Sequence, residues 1–470
     1  MTARREFDLN IERVLESWTV AHAIREVIAN ALDEAALTGT AEPTIIKDDQ
    51  GRWHVRDFGR GIRYEHLTQN ENKEKLANPE RVVGKFGVGL KDALATFDRR
   101  KVGVRICSRF GTITTTKQHK HGFDDITTLH AVIEPPDDPA LDGTEIVLTD
   151  VRDPDIEEAK ALFRHYAGDE VLETTPYGLV LSRPKRRPAR IYVNGLRVAE
   201  EQNYLFSYDI TSPTKGLRAA LNRERSNVGR TAYTDRVKAI LLAATSEAVA
   251  SALAEDLSGF AAGTWHDETQ LVDVGVHACQ VLNATGKVIF LTPDELNFAR
   301  DFVDRAEDDG YRVVVIPSTI RHKIEGSTDI TGAPIIDLGR FKDQWNESFQ
   351  FKFVDPAKLT KSERAVFERT DAILTLRGGR PPQVKEILIS KTMRLGAASY
   401  AEAAGVWEPA EGRIVIKRDQ LASLTRYAGT LLHEVAHAET GTPDISAGFE
   451  DALTGELGEV ACSSLGDSRV

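Results

Sequence analysis

Cysteine is scarce in this chain: Cys107, Cys279 and Cys462 are the only three in 470 residues. They lie far apart and form no CxxC pair, so no disulfide framework is expected. Each reads as a small core residue in a reducing, cytoplasmic setting. Long apolar runs are missing too, so no segment is expected to span a bilayer. Met1 is followed by Thr2, Arg4, Arg5 and Glu6 rather than an apolar stretch, and no secretory signal is expected. There is no excess of positive charge. The formal net charge of -12 disfavours a general nucleic-acid-coating role. Internal repeats and low-complexity tracts are absent.

What remains is a globular composition, 41% hydrophobic and 28% charged, in a chain long enough for two to four domains. Helical periodicity over 9–37, with Ile24, Val27, Ile28, Ala31 and Leu32 on one face, predicts a long first helix. A hairpin ending in Trp53–Val55 follows, then a polar loop over 68–82. A glycine-rich segment runs into a helix over 84–97, and β-type runs follow at 102–116, 126–134 and 144–148. A second unit starts near Pro154, with strands at 179–182 and 191–193 and a hairpin turn at Asn194-Gly195. A long helix, 231–255, closes it, and 258–268 reads as a linker. Residues 287–316 form one β-α-β piece. The last unit has a strand at 413–417 and helices at about 419–439 and 446–464. The expected domains are therefore 1–150, 151–260, 261–365 and 366–470, an α+β multidomain protein.

Three motifs near the amino terminus carry chemistry as a set. Glu26, Asn30 and Asp33 sit at i, i+4 and i+7 and share one helix face, able to hold a metal and a water; a solvated face is the competing explanation. Asp57-Phe-Gly59-Arg-Gly61 follows a strand, where a carboxylate and glycines let backbone approach a flat ligand. Gly84-Lys85-Phe86-Gly87-Val88-Gly89 opens a helix, whose N–H groups can cradle phosphates. No Gly-Lys-Ser/Thr ends this loop, so it is not a Walker A motif.

In this order, and followed by Gly143-Thr144, the boxes resemble the GHKL (Bergerat-fold) ATPases, a superfamily that includes gyrase B subunits, MutL, MORC proteins, histidine kinases and the large heat-shock chaperone. The resemblance covers about residues 9–150. It implies an α/β sandwich binding ATP and Mg²⁺, with Glu26 polarising the attacking water and Asn30 holding Mg²⁺. Asp33 shares that face. Asp57 would accept from the adenine amino group, supported by Thr144, with Gly59 and Gly61 giving the base room. Gly84, Lys85, Phe86, Gly87, Val88 and Gly89 would wrap the phosphates. The family's second, transducer domain often reaches the γ-phosphate with a basic residue. LNRERSNVGR, 221–230, is similar to the chaperone version and offers Arg223. Many members dimerise with nucleotide, so a nucleotide-dependent homodimer is expected. A basic cluster, Arg183, Lys185, Arg186, Arg187 and Arg190, lies in a turn between strands; a solvated tip is favoured there over a nucleic-acid contact.

His433-Glu434-Val-Ala-His437 falls within a helical pattern. Histidines at i and i+4 put two imidazoles on one face, as tetrahedral Zn²⁺ requires, and Glu434 then faces the water-bearing position. With Gly441 as a stop and Ser446 as the next cap, the pattern resembles gluzincin-type metalloproteases, whose third ligand is a Glu on the following helix. That resemblance implies Glu450 as the ligand, with Asp451 in reserve. Gly412–Lys417 is expected to be the edge strand that aligns substrate, or else an ordinary core strand. The combined expectation is an ATP-regulated zinc endopeptidase. The alternative is a chaperone- or MORC-like ATPase clamp, nucleic-acid-responsive or serving phage defence, with a non-proteolytic zincin module.

Overall fold

The structure, a computed structural model, describes residues 4–11, 16–68, 73–78, 82–83, 89–123, 125–221, 228–396 and 400–466. The chain divides into two compact units, Met1–Val281 and Leu282–Val470. Both mix helices with sheets, so the fold class is the expected α+β multidomain one. No single helix among the described residues is long and apolar enough to cross a membrane.

The first unit opens with a seven-stranded sheet. Its strands are β1 (Arg5–Asp8), β2 (Thr44–Lys47), β3 (Trp53–Arg56), β4 (Gly103–Ser108), β5 (Gly111–His119), β6 (Thr127–Glu134) and β7 (Thr144–Thr149). Their order is β1-β6-β5-β4-β7-β3-β2, and neighbouring strands are antiparallel. Period-2 alternation sends Val55, Ile106, Ile146 and Leu148 into the core. There they meet Ile24, Ile28 and Phe97 from the helices Val20–Thr38 and Gly89–Arg99. Each such fully buried side chain contributes about 1.5–3 kcal/mol.

The first helix begins at Val20, not at residue 9. Ahead of it the Leu9 amide donates to the Leu129 carbonyl at 3.0 Å, extending the β1–β6 pairing, and the Thr19 amide donates to His22 Nδ1 at 3.3 Å. The apolar residues Leu9 and Trp18 are buried without belonging to that helix. The first core also runs past the expected break at 150, taking in Ile156, Ala159 and Phe163.

A five-stranded sheet follows, of β8 (Val171–Thr175), β9 (Gly178–Leu181), β10 (Ala189–Val193), β11 (Leu196–Glu201) and β12 (Ser207–Ile210), in the order β11-β10-β12-β9-β8. Asn194 and Gly195 turn β10 into β11 with positive φ angles of 49° and 79°, as an Asn-Gly hairpin requires. The expected helix 231–255 is two helices, Thr234–Ala243 and Glu247–Ser258, bent by 118°. The break is built by tertiary partners: Ser246 caps the second helix, while Glu173 of β8 accepts from the amides of Thr245 and Ser246. This core reaches Val274 and Ala278, past the expected break at 260.

In the second unit β13 (Val288–Leu291) and β14 (Arg312–Val315) pair in parallel, as the β-α-β reading requires. A three-stranded sheet then combines β15 (Glu386–Ser390), β16 (Gly405–Glu408) and β17 (Arg413–Lys417) in the order β15-β17-β16. Of the two readings of Gly412–Lys417, the core strand is the one that forms: β17 is central, and its Ile414, Val415 and Ile416 are buried. The edge strand β16 packs on the helix Leu424–Thr440, which leads through a short turn to the helix Ala447–Leu465.

Candidate functional site

Two constellations stand out, one in each unit. In the first, Asp57 is buried at the end of β3, and its Oδ1 accepts from the Gly59 amide at 2.9 Å and the Thr144 amide at 3.2 Å. Burial pushes its pKa up, against the pull of those bonds. Thr144 Oγ1 accepts from the Ile62 amide at 3.0 Å. Gly143 has φ +81°, and a Cβ there would stand 1.9 Å from the Asp57 carbonyl oxygen, so only glycine fits. The sequence motifs around Asp57 and Thr144 are thus one bonded network, on the wall of a cavity of about 530 Å³.

Asn30, Asp57, Gly61 and Thr144 line this cavity with Glu34, Arg60, Arg63, Lys75, Arg109 and Phe110. Glu26 and Asp33 do not line it. Glu26 is buried, and its Oε1 accepts from Arg25 Nε at 3.0 Å and Nη2 at 2.8 Å. Its Oε2 lies so near Gly89 that a Cβ there would come within 2.2 Å. Asn30 and Asp33 share the Lys75 ammonium instead. Gly84, Lys85, Phe86, Gly87 and Val88, and also Arg223, lie outside the described residues. At the hairpin of the second sheet, Asn194 Nδ2 donates to the Val82 carbonyl at 3.3 Å. Asp209 fixes this hairpin by accepting from the Gly195 amide and from Arg164. Lys75, Arg60 and Asn194 were not singled out from the sequence as site residues, because their partners are distant in the chain.

The basic cluster is smaller than its sequence suggests. Arg183 donates to the carbonyls of Arg187, Gln202 and Tyr204, and Arg190 pairs with Asp169. Lys185, Arg186 and Arg187 remain exposed at the tip.

In the second unit His433 and His437 lie one turn apart on the helix Leu424–Thr440, their Nε2 atoms 3.2 Å from each other. Asp444 Oδ1 stands 3.0 Å from the first and 2.9 Å from the second. These three could hold a metal ion. His437 Nδ1 contacts the Thr442 carbonyl at 2.8 Å, which orients the ring and leaves Nε2 facing Asp444. Burial and the neighbouring His437 hold His433 below the ordinary histidine range, favouring its neutral, ligating form. Glu450, the expected third ligand, is exposed and outside this cluster. Phe449 takes the inward position of that first turn, stacked on the His437 ring at 4.1 Å. Asp451 is exposed as well. Asp444 was missed because it lies in the Gly441-Thr-Pro-Asp turn and not on a helix.

Glu434 is 6% exposed, and burial pushes its pKa up to about 7, against a hydrogen bond from the Trp407 amide. A Cβ on Gly405 would come within 2.8 Å of its side chain, so β16 approaches Glu434 closely because residue 405 is glycine. Behind the histidines, Arg377 ties the two helices together. Its Nη2 lies 2.7 Å from Glu439 and 3.2 Å from Glu456, the latter buried.

Glu456 sets a stability test. Its carboxyl is pushed up to about 7, first by burial. A raised carboxyl binds its proton more tightly when folded, so its stabilising contribution is present at low pH and is lost as pH rises through about 7. Glu456→Gln is expected to flatten that part of the melting-temperature profile. Arg377→Met leaves the buried Glu456 without its cation, while Glu439 stays in water, and is expected to cost about 1–3 kcal/mol. Denaturant unfolding at neutral pH measures it; a loss under about 1 kcal/mol would mean the pair does not hold the helices.

Residues 154–247 match the family described as the Mycoplasma pneumoniae MPN635 N-terminal domain. That match spans the five-stranded sheet. An uncharacterized protein of Mycoplasma pneumoniae (strain ATCC 29342 / M129 / Subtype 1) is 38% identical over 244 residues, covering 50% of this chain and 96% of its own length. The chain belongs to the family of this mycoplasma protein. Other uncharacterized proteins of the same organism are similar: one is 33% identical over 100 residues, 21% of this chain and 28% of its own, and another 24% identical over 177 residues, 37% and 92%.

Proposed function

We propose that the chain is an ATP-binding and ATP-hydrolysing regulator joined to a zinc-dependent endopeptidase that cleaves a protein substrate. The observation that carries this reading is the meeting of His433, His437 and Asp444 beside the buried Glu434, next to an edge strand.

The donor set suits zinc. The three donor atoms lie 2.9–3.2 Å apart, close enough for one small cation to reach all of them. Two imidazole nitrogens and a carboxylate oxygen are donors that zinc would accept. Zinc, when bound there, supplies a Lewis acid and acidifies a water. Glu434 takes the proton from the attacking water and returns it to the departing amine, leaving a carboxylate and an amine. A carboxyl near neutrality suits both transfers. The edge of β16 offers main-chain groups to an extended peptide, which fits cleavage of unfolded or looped protein.

The Asp57 cavity suits adenine. Asp57 accepts from the exocyclic amine, and Gly61 with Thr144 forms the wall beside it. Arg63, Lys75 and Arg109 supply positive charge for phosphates. Mg²⁺, when bound, would neutralise the charge that develops on the phosphates. Asn30 is its proposed ligand, and the Lys75 ammonium already at Asn30 is a stand-in cation that supports the fit. Glu26 is the proposed base for the attacking water. A nucleotide-dependent homodimer is the proposed assembly.

Zinc content tests the ligand set. Asp444→Ala is expected to weaken zinc binding by about 100-fold or more, while Glu450→Ala leaves it near wild type. Competition with a chromophoric chelator measures both. Equal affinity in the two variants removes Asp444 from the set; loss only in Glu450→Ala reinstates the ligand expected from the helix pattern.

A further inference from the structure

Lys75 belongs to the short helix Lys73–Ala77, more than forty residues from its partners in sequence. Its Nζ lies 2.9 Å from Asn30 Oδ1 and 2.6 Å from Asp33 Oδ2. Asp33 is fully buried, and its other oxygen accepts from the Val83 amide. The next residue back, Glu74, pairs with Arg60 of the Asp57 motif, and Arg60 in turn pairs with Glu34. Two ion pairs, Lys75–Asp33 and Glu74–Arg60, therefore hold this helix in place, and Glu74 and Lys75 both line the cavity. An ammonium sits where a divalent cation would be held between an amide and a carboxylate.

We propose that Lys75 is the built-in counter-ion of the cation site at Asn30 and Asp33, and that a divalent metal–nucleoside triphosphate binds only by displacing it. The proposal rests on the reading of Asn30 as a divalent-cation ligand. Two cations cannot share one buried carboxylate at contact distance without strong repulsion. The metal and the ammonium are therefore alternatives. With Lys75 seated, Asp33 is neutralised and the nucleotide-free site has little affinity for free Mg²⁺. Metal arriving with a nucleotide carries its own phosphate ligands, and the released ammonium gains phosphate oxygens as partners.

The test reads melting temperature and binding, not turnover. Nucleotide-free wild type is expected to melt at the same temperature with and without millimolar Mg²⁺. Lys75→Met is expected to melt lower and to be raised again by Mg²⁺ or Mn²⁺, which replaces the missing charge. The Mg²⁺ concentration that half-saturates binding of a fluorescent, non-hydrolysable ATP analogue is expected to fall about 10-fold in Lys75→Met. Lys75→Arg, which keeps the charge and guards against misfolding of the first variant, is expected to keep the wild-type insensitivity of the melting temperature to Mg²⁺. A Lys75→Met melting temperature indifferent to both metals, with an unchanged Mg²⁺ midpoint, overturns the proposal and leaves a structural ion pair. Analogue binding to wild type that is equally tight in EDTA also overturns it, because the ammonium would then be serving in place of the metal. Failure of the nucleotide reading is distinguishable: the analogue would bind neither wild type nor any variant, whereas metal rescue of the Lys75→Met melting temperature needs no nucleotide.

Discussion

Glu434→Gln is expected to retain wild-type zinc while losing peptide cleavage by about 10²–10⁴-fold. The amide has nearly the same shape as the carboxylate, so it still fits beneath Gly405, where even one added carbon would come within 2.8 Å. It can still accept from the Trp407 amide. What it cannot do is take a proton from water and pass it to an amine, and among the described residues Asp444 is the carboxylate that joins the two histidines. Asp444 is a proposed metal ligand, with its lone pairs committed. Metal analysis alongside cleavage of a quenched fluorescent peptide library measures both quantities. Cleavage within a few-fold of wild type would remove Glu434 from the chemistry.

The His433–His437–Asp444 cluster shows how far residue patterns carry. The i, i+4 histidine spacing fixes their shared face, because helix geometry is local. The third member of the cluster is not local. Ser446 caps the helix Ala447–Leu465 as its sequence suggests, but adjacent helical positions differ by about 100° in direction. Phe449 turns its ring onto His437, and Glu450, one position on, turns out to solvent. The apolar residue won the inward position, and the carboxylate came from the turn before it. The strands β15 and β16 were missed for a related reason. Four or five residues long, they carry too little alternation to register, and β16 matters for its glycine rather than its pattern.

Glu26→Ala is the second large effect. ATP turnover is expected to fall about 10²–10⁴-fold while nucleotide binding survives, since the cavity is lined by other residues. The structure adds a complication that the helix motif does not reveal. Arg25 is 3% exposed and its guanidinium binds Glu26, so alanine breaks a buried ion pair at a cost of about 3–5 kcal/mol. Glu26→Gln, which keeps an acceptor for Arg25, separates the two effects. It should lose turnover without the fall in melting temperature. Phosphate release and binding of a fluorescent ATP analogue measure them; wild-type turnover in both variants would remove Glu26 as the base.

In the first unit the order of motifs was legible because each is short and self-contained. Asp57 and Thr144 meet through the backbone amides of Gly59, Ile62 and Thr144. Strong local signals such as Asn194-Gly195 and the apolar runs flanking the β-α-β piece also matched what formed. Long-range pairing was not legible. The helix 231–255 breaks because a carboxylate from β8 binds its middle, and Leu9, where the first helix was expected to begin, instead continues the pairing of β1. Lys75 is the functional counterpart: its sequence context is a polar stretch, and only folding brings it to Asn30 and Asp33.

The most direct measurement is a mass-spectrometric count of new amino termini in a denatured protein mixture incubated with the zinc-loaded chain. Wild type and Glu434→Gln would each be run with and without a non-hydrolysable ATP analogue. The account predicts new termini with wild type, none above background with Glu434→Gln, and a change in their yield of about 5–150-fold when the analogue is present. Identical sets of termini from wild type and Glu434→Gln, unaffected by the analogue, would contradict it.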